Sequence, residues 1–307
     1  MQTTPHVLMI RPVRFGYNAE TAVNNAFQKN VGDSERIQQE AQDEFDAYVG
    51  ILRANDVDVM VVEDTAEPYT PDSIFPNNWI SFHEDGTVCL YPMFAENRRL
   101  ERRKDIVELV GKRFEISRIE DFTMYEQQAK FLEGTGSMIL DRDSKVAYAC
   151  LSPRTDRSLF SEFCRKLGYQ PVCFTALDVN RQPIYHTNVM MSVADCYAIV
   201  CVDSVSDKTE QQLLIKTLEQ SGKQVVDISQ QQLQSFAGNM LQVKNLKGQP
   251  LLLMSDRAYQ SLTSEQLETL TRFNKIIHPS LENIEVNGGG SARCMVAEIF
   301  LPQKVKN

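Results

Sequence analysis

Two hydrophobic periods alternate along this chain, and their order repeats. Short runs dominated by apolar and β-branched residues, such as Val57–Val62, Val88–Tyr91, Val146–Cys150 and Tyr197–Val202, predict strands. Between them lie stretches whose apolar residues fall three and four apart. The clearest runs from Ser34 to about Ala54, with Ile37, Ala41, Phe45, Tyr48 and Leu52 at helical spacing and Ser34 as the expected N-cap.

Taken in order, the chain opens with a strand at Val7–Ile10, then that helix and the strand Val57–Val62. A hairpin of Trp79–His83 and Val88–Tyr91 follows, turned through Asp85-Gly86. A charged helix near Glu96–Lys112 and a strand near Phe114–Ser117 complete this unit. The same order returns with Ser137–Leu140, Val146–Cys150, Asp156–Leu167 and Val172–Thr175. It returns again with Asn188–Val193, Tyr197–Val202, Lys208–Glu219 and Gln224–Ile228. A fourth copy comprises Asn239–Val243, Pro250–Met254, Ser264–Phe273 and Lys275–His278. Cys294–Leu301 begins a last strand, whose expected partner is the N-terminal one. From Trp79 to Ser137, Asn188, Asn239 and Cys294 the spacing is 58, 51, 51 and 55 residues. A period near 50 marks repeated supersecondary units, each too small to bury its own core. The pattern predicts five ββαβ units closed against one another, a five-bladed α/β-propeller, in one domain over residues 1–307.

Composition excludes several partners. The chain of 307 residues carries 32 basic and 41 acidic residues, a net charge of −9, which argues against nucleic acid or an anionic membrane. The basic run Arg98–Lys104 reads as a solvated helix face in which one arginine could bind a carboxylate. The longest apolar stretch, Thr187–Val202, is broken by Asp195 and too short to span a bilayer. No signal-peptide pattern opens the chain. The seven cysteines include no Cys-x-x-Cys pair, so a reducing, cytoplasmic setting is expected, with most cysteines acting as small core residues. The four histidines are scattered, and no metal is expected.

The repeat gives candidate residues a common address. Asn77-Asn78 precedes the first hairpin, Glu133-Gly134-Thr135-Gly136 the second and His186-Thr187-Asn188 the third. The run Gly288-Gly289-Gly290-Ser291-Ala292-Arg293-Cys294 precedes the last strand. Units arranged around one axis bring these segments to one central pocket. There Cys294 could attack as a thiolate, presented at the start of a strand after glycines that let the backbone approach a ligand. His186 could act as general acid/base, and Glu133 could orient substrate N–H groups. Read residue by residue, each has an inert alternative: a buried small cysteine, a structural histidine and a turn carboxylate.

The motifs Pro71-Asp72-Ser73-Ile74-Phe75-Pro76-Asn77-Asn78-Trp79, Leu132-Glu133-Gly134-Thr135-Gly136-Ser137, Leu151-Ser152-Pro153-Arg154-Thr155-Asp156, His186-Thr187-Asn188, Ala237-Gly238-Asn239-Met240 and the terminal glycine run with Cys294 occur in a familiar order. Together they span residues 71 to 294. The chain resembles the guanidino-group-modifying superfamily of arginine deiminases, dimethylarginine hydrolases and amidinotransferases, and within it the citrulline-utilisation hydrolases. The resemblance implies the pentein fold, the five-bladed propeller already expected. It implies Cys294 as nucleophile, His186 as acid/base and Glu133 as substrate-binding carboxylate, with no cofactor. It further implies that Asp72 meets a substrate α-amino group and that Arg154, with Arg98 or a neighbouring arginine, meets the α-carboxylate. Asn239 is left between a pocket wall and a structural turn.

Departures from the pattern bear on substrate. Where many relatives carry aspartates, this chain has Asn78 and Asn188. Asparagine both donates and accepts, matching an uncharged ureido group better than a cationic guanidinium. The sequence therefore points to a hydrolase that converts citrulline to ornithine, CO2 and ammonia. Arginine deiminase, dihydrolase, amidinotransferase or a non-catalytic binder stand as alternatives. A small amino acid is the expected partner, and whether the chain forms a homo-oligomer is open.

Overall fold

The computed structural model describes residues 1–304; the last three residues of the expected 1–307 domain lie outside it. The strands of the described residues form five three-stranded sheets. Each pairs two antiparallel strands, a hairpin in the first four, with a third strand that returns parallel after a helical crossover, the connection a parallel pair requires. Strands Ile80–Phe82, Thr87–Leu90 and Arg118–Asp121 form the first repeat, and Ile139–Asp141, Val146–Cys150 and Gln170–Phe174 the second. The third contains Met191–Val193, Tyr197–Val200 and Gln224–Asp227, and the fourth Leu241–Lys244, Pro250–Leu253 and Lys275–Ile277. The fifth joins both ends of the chain. Ala297–Glu298 pairs antiparallel with His6–Arg11, which runs parallel to Asp58–Glu63. The expected partnership between the N-terminal and last strands is present, and the fold is the pentein propeller.

Hydrophobic packing closes the ring. One apolar cluster joins Val7, Phe45 and Leu52 of the fifth unit to Leu241, Leu253 and Ile277 of the fourth. Phe45 is fully buried there, and truncating it to alanine would cost about 3–5 kcal/mol. The helix Ser34–Ala54 presents Phe45 from its buried stripe. Its N-cap is Asp33 rather than Ser34, with the Asp33 carboxylate accepting the N–H groups of Glu35 and Arg36.

The first repeat departs furthest from expectation. The charged helix over Glu96–Lys112 is two pieces, a short turn at Asn97–Glu101 and a helix at Lys104–Arg113. The break turns Arg98 and Glu101 into the interior, where both are buried. The third strand is Arg118–Asp121, not Phe114–Ser117. Phe114 belongs to the core, its N–H closing the preceding helix on the Val110 carbonyl. The strand that follows is polar and mostly exposed, and it is defined by backbone pairing with Thr87–Leu90. Hydrophobic pattern could not reveal it.

Single helical turns precede the first strands of three repeats, at Pro76–Asn78, Gly134–Ser137 and Thr187–Met190. Cys294 likewise sits in a turn before its strand and not at the strand's first residue: its N–H bonds to the Ser291 carbonyl at 2.9 Å. These turns carry the candidate residues inward.

Candidate active site

The five repeat boundaries converge through hydrogen bonds. His186 Nε2 lies 2.7 Å from Glu133 Oε2, and Arg154 Nη1 lies 3.5 Å from the same oxygen. Glu133 Oε1 accepts the Phe94 N–H at 2.9 Å. The turn that carries Glu133 is pinned by Ser137, whose hydroxyl accepts the Glu133 N–H and donates to the Arg154 carbonyl. A glycine is required at 136, because a Cβ there would fall 2.5 Å from Asn78 Nδ2 and 2.8 Å from His186 Nδ1.

Electrostatics fixes protonation on this side. Burial alone would raise the Glu133 pKa, but Arg154, His186 and Arg98 outweigh it and hold the carboxyl at about 2. Burial pushes His186 the other way, down to about 4, against the opposing pull of Glu133. At neutral pH the pair is therefore a carboxylate accepting from a neutral imidazole. Nε2 carries the proton, and Nδ1 lies against Gly136.

Cys294 occupies a different environment. Its Sγ receives Asn239 Nδ2 at 3.2 Å and Asn188 Nδ2 at 3.4 Å. Among the described residues no hydrogen bond joins Cys294 to His186. Cys294 is 4 % exposed, His186 2 % and Glu133 0 %. The glycine run packs closely against the protein itself, where added Cβ atoms would meet Phe75 and Asn25. Gly289 adopts a left-handed φ of +66°, which aims its carbonyl at Tyr185 Oη (2.7 Å) and Asn25 Nδ2 (3.2 Å). Close packing against the protein's own side chains thus accounts for these glycines.

Asp72 and the arginines form the remaining wall. Of the four arginines between 98 and 103, only Arg98 is fully buried. Its Nη1 donates to Asn78 Oδ1 at 2.8 Å, and Nε and Nη2 grip Glu101 in a two-pronged pair at 2.9 Å each. Glu101 was not foreseen from sequence, although its spacing of three from Arg98 allows the contact. Arg102 and Arg103 instead pair with Glu126 and Asp105. Asp72 Oδ2 accepts from Asn18 at 2.8 Å and Thr21 at 3.1 Å, while Asp72 Oδ1 is buried without a partner. Burial raises the Asp72 pKa against the pull of Arg98.

A strap that sequence reasoning missed covers these groups. Residues 18–28 supply Asn18 and Thr21 to Asp72. Arg154 donates from Nε to Asn24 Oδ1 at 2.8 Å and from Nη2 to the Thr21 carbonyl at 2.7 Å. Arg154 is thereby engaged on both sides, by Glu133 and by the strap. The signal for this segment was faint: a polar stretch with Asn18, Asn24 and Asn25 and no hydrophobic period.

The five-unit propeller is the fold of the guanidino-group-modifying class. The family model described as N,N dimethylarginine dimethylhydrolase, eukaryotic, matches residues 11–301, and the chain belongs to that family. It is thus a hydrolase of C–N bonds within that class. No curated protein matches the sequence. Among solved structures, the N-terminal domain of ArgZ, an arginine dihydrolase from the ornithine–ammonia cycle in cyanobacteria, bound to substrate, superposes with a TM-score of 0.74 at 16 % identity. That match covers 97 % of this chain and 98 % of the other. AgrE in complex with L-arginine gives 0.76 at 16 %, covering 98 % of this chain but 41 % of AgrE, so this chain spans about two-fifths of that protein. DDAH from Pseudomonas aeruginosa complexed with citrulline gives 0.65 at 16 %, covering 97 % and 100 %. At such identity the likeness establishes a shared fold. Among the described residues no helix is long and apolar enough to cross a membrane.

Proposed function

We propose that the chain is one catalytic domain that hydrolyses the ureido group of citrulline, with Cys294 as nucleophile, His186 as acid/base and Glu133 orienting substrate and imidazole. The carrying observation is that, among the described residues, the side-chain hydrogen bonds to Cys294 Sγ come from the amides of Asn188 and Asn239, while the Glu133 carboxylate is paired with Arg154. A neutral carbon centre suits the neutral amides that meet the sulfur.

In this reading Cys294 Sγ adds to the ureido carbon. The thiol proton passes by way of His186 to the departing Nδ, releasing ornithine and leaving a carbamoyl thioester. Water then cleaves the C–S bond, returns a proton to sulfur and yields carbamate, which decomposes to CO2 and ammonia. Asp72 Oδ1 and Asn188 Oδ1, both buried without partners, await donors that a substrate α-ammonium and ureido N–H group supply. The α-carboxylate takes the Arg154 donors once the strap releases them, with Arg98 alongside. The reaction needs no cofactor in this reading, and a cytoplasmic setting belongs to it.

Family membership and the arginine-bound relatives favour a second reading, hydrolysis of a guanidino group of arginine or a methylated arginine. Purified protein supplied separately with citrulline, arginine and dimethylarginine distinguishes them. Ornithine from citrulline supports the first reading, and citrulline or ornithine from arginine alone supports the second. Cys294→Ala should abolish product release with the circular dichroism spectrum unchanged; full turnover by that variant would overturn both.

A further inference from the structure

The two side-chain hydrogen bonds to Cys294 Sγ both come from carboxamides, and they differ in how firmly they are held. Asn239 is 1 % exposed and tied at both ends. Its Oδ1 accepts the Arg293 N–H at 3.1 Å, and its Nδ2 spans the Asn188 carbonyl at 2.9 Å and the sulfur at 3.2 Å. Every donor and acceptor of that side chain but one oxygen lone pair is therefore spent on the turn that carries Cys294 and on the turn that carries Asn188. Asn188 gives one hydrogen to sulfur, while its Oδ1 is buried and unpartnered. The His186 imidazole is turned to Glu133.

We propose that Asn239 and Asn188 form a neutral clamp that stabilises the negative charge on Cys294 Sγ once its proton has left, a stabilisation supplied by the two amides and not by His186. The proposal rests on reading Cys294 as the nucleophile. Its physical basis is preorganisation: amide donors aimed at sulfur strengthen greatly when it becomes an anion, and at a buried site they need not reorganise. Asn239 is the fixed arm. Asn188 is the arm that answers substrate, because a ligand N–H on its free Oδ1 polarises the same amide and tightens Nδ2 on sulfur. The clamp gives Asn239, otherwise readable as a turn residue, contact with a reacting atom.

Alkylation of the full chain by iodoacetamide at neutral pH tests this, with peptide mass spectrometry restricting the readout to Cys294. Loss of a hydrogen bond to a charged group predicts that Asn239→Ala slows alkylation about tenfold. Asn239→Asp discriminates most sharply. It keeps the shape and the acceptor for Arg293 N–H but replaces the donor with a carboxylate, so it should alkylate more slowly than Asn239→Ala. A merely structural role predicts the reverse order. His186→Ala should lose turnover and yet alkylate at the wild-type rate. Should Asn239→Ala not fold, Asn188→Ala reports on the second arm with a several-fold slowing. Wild-type rates in Asn239→Asp, or slowing in His186→Ala as large as in Asn239→Ala, would overturn the clamp. If wild-type protein is not alkylated at Cys294 at all, the reading of the nucleophile fails; if it is alkylated but indifferent to Asn239, only the clamp fails.

Discussion

On one side of the site Glu133 sits among Arg154, Arg98 and His186, and on the other Cys294 meets the amides of Asn188 and Asn239. The charged side is closed on itself. Its carboxylate is held at about 2, its imidazole at about 4, and its arginine is shared with the strap. The neutral side is incomplete, because Asn188 Oδ1 has no partner. In the proposed reading the contrast separates two tasks: the charged cluster fixes protonation states, and the amide side keeps hydrogen-bonding capacity for a substrate.

The largest effect should come from breaking the charged side. Glu133→Gln leaves Arg154 buried beside a neutral amide, and removing one partner of such a pair costs about 3–5 kcal/mol. Urea unfolding should register that loss, and turnover should fall by roughly a thousandfold if the carboxylate aligns both imidazole and substrate. Stability close to wild type would show that the cluster is not mutually dependent.

Acid should damage this side before the other. His186 is neutral in the fold down to about 4, while in the unfolded chain it takes up a proton near its ordinary value of 6.5. The unfolded state thus binds more protons between these values, and stability declines as pH falls through that window. Glu133 acts with the same sign: its folded value of about 2 lies below its ordinary value of 4.5, so its contribution is lost on further acidification. Melting temperatures from neutral pH down to 4 should fall steadily for wild type and more shallowly for His186→Gln.

Placing charge on the neutral side sharpens the comparison from the opposite direction. Asn188→Asp puts a carboxylate beside Cys294, disfavouring the thiolate and a neutral ureido group alike. We expect kcat/KM for citrulline to drop by about 10–100-fold, the scale of one lost oxyanion-type donor, and arginine turnover to drop less. Equal losses would mean that Asn188 does not select between the substrates. The smallest effect belongs to the strap. Asn24→Ala frees one donor face of Arg154, so KM should fall several-fold with kcat little changed, because Asn24 contacts Arg154 and not the sulfur. An unchanged KM would remove Arg154 from the carboxylate site.

What the sequence disclosed follows from the same physics. The five-unit architecture was legible because hairpins and amphipathic helices repeat with a period near 50, and both ends of the chain supply strands to one sheet. Arg118–Asp121 was not legible, since an exposed polar strand leaves no hydrophobic trace. Glu133, His186, Asn188 and Cys294 could be placed together because each sits at a repeat boundary. The contacts of Asn239 with sulfur and of Glu101 with Arg98 could not, because a boundary position does not say where a side chain points. The strap was missed for a different reason: it lies outside the repeat, and its contacts with Asp72, Arg154 and Gly289 bridge from 51 to 264 residues of sequence.

The central claim is that the neutral surroundings of Cys294 select a neutral carbon. Competition tests it most directly: purified protein incubated with equal concentrations of isotopically distinguished citrulline and arginine, and the origin of the ornithine followed by mass spectrometry. The account predicts ornithine carrying mainly the citrulline label. Ornithine or citrulline formed from arginine, with labelled citrulline untouched, would contradict it.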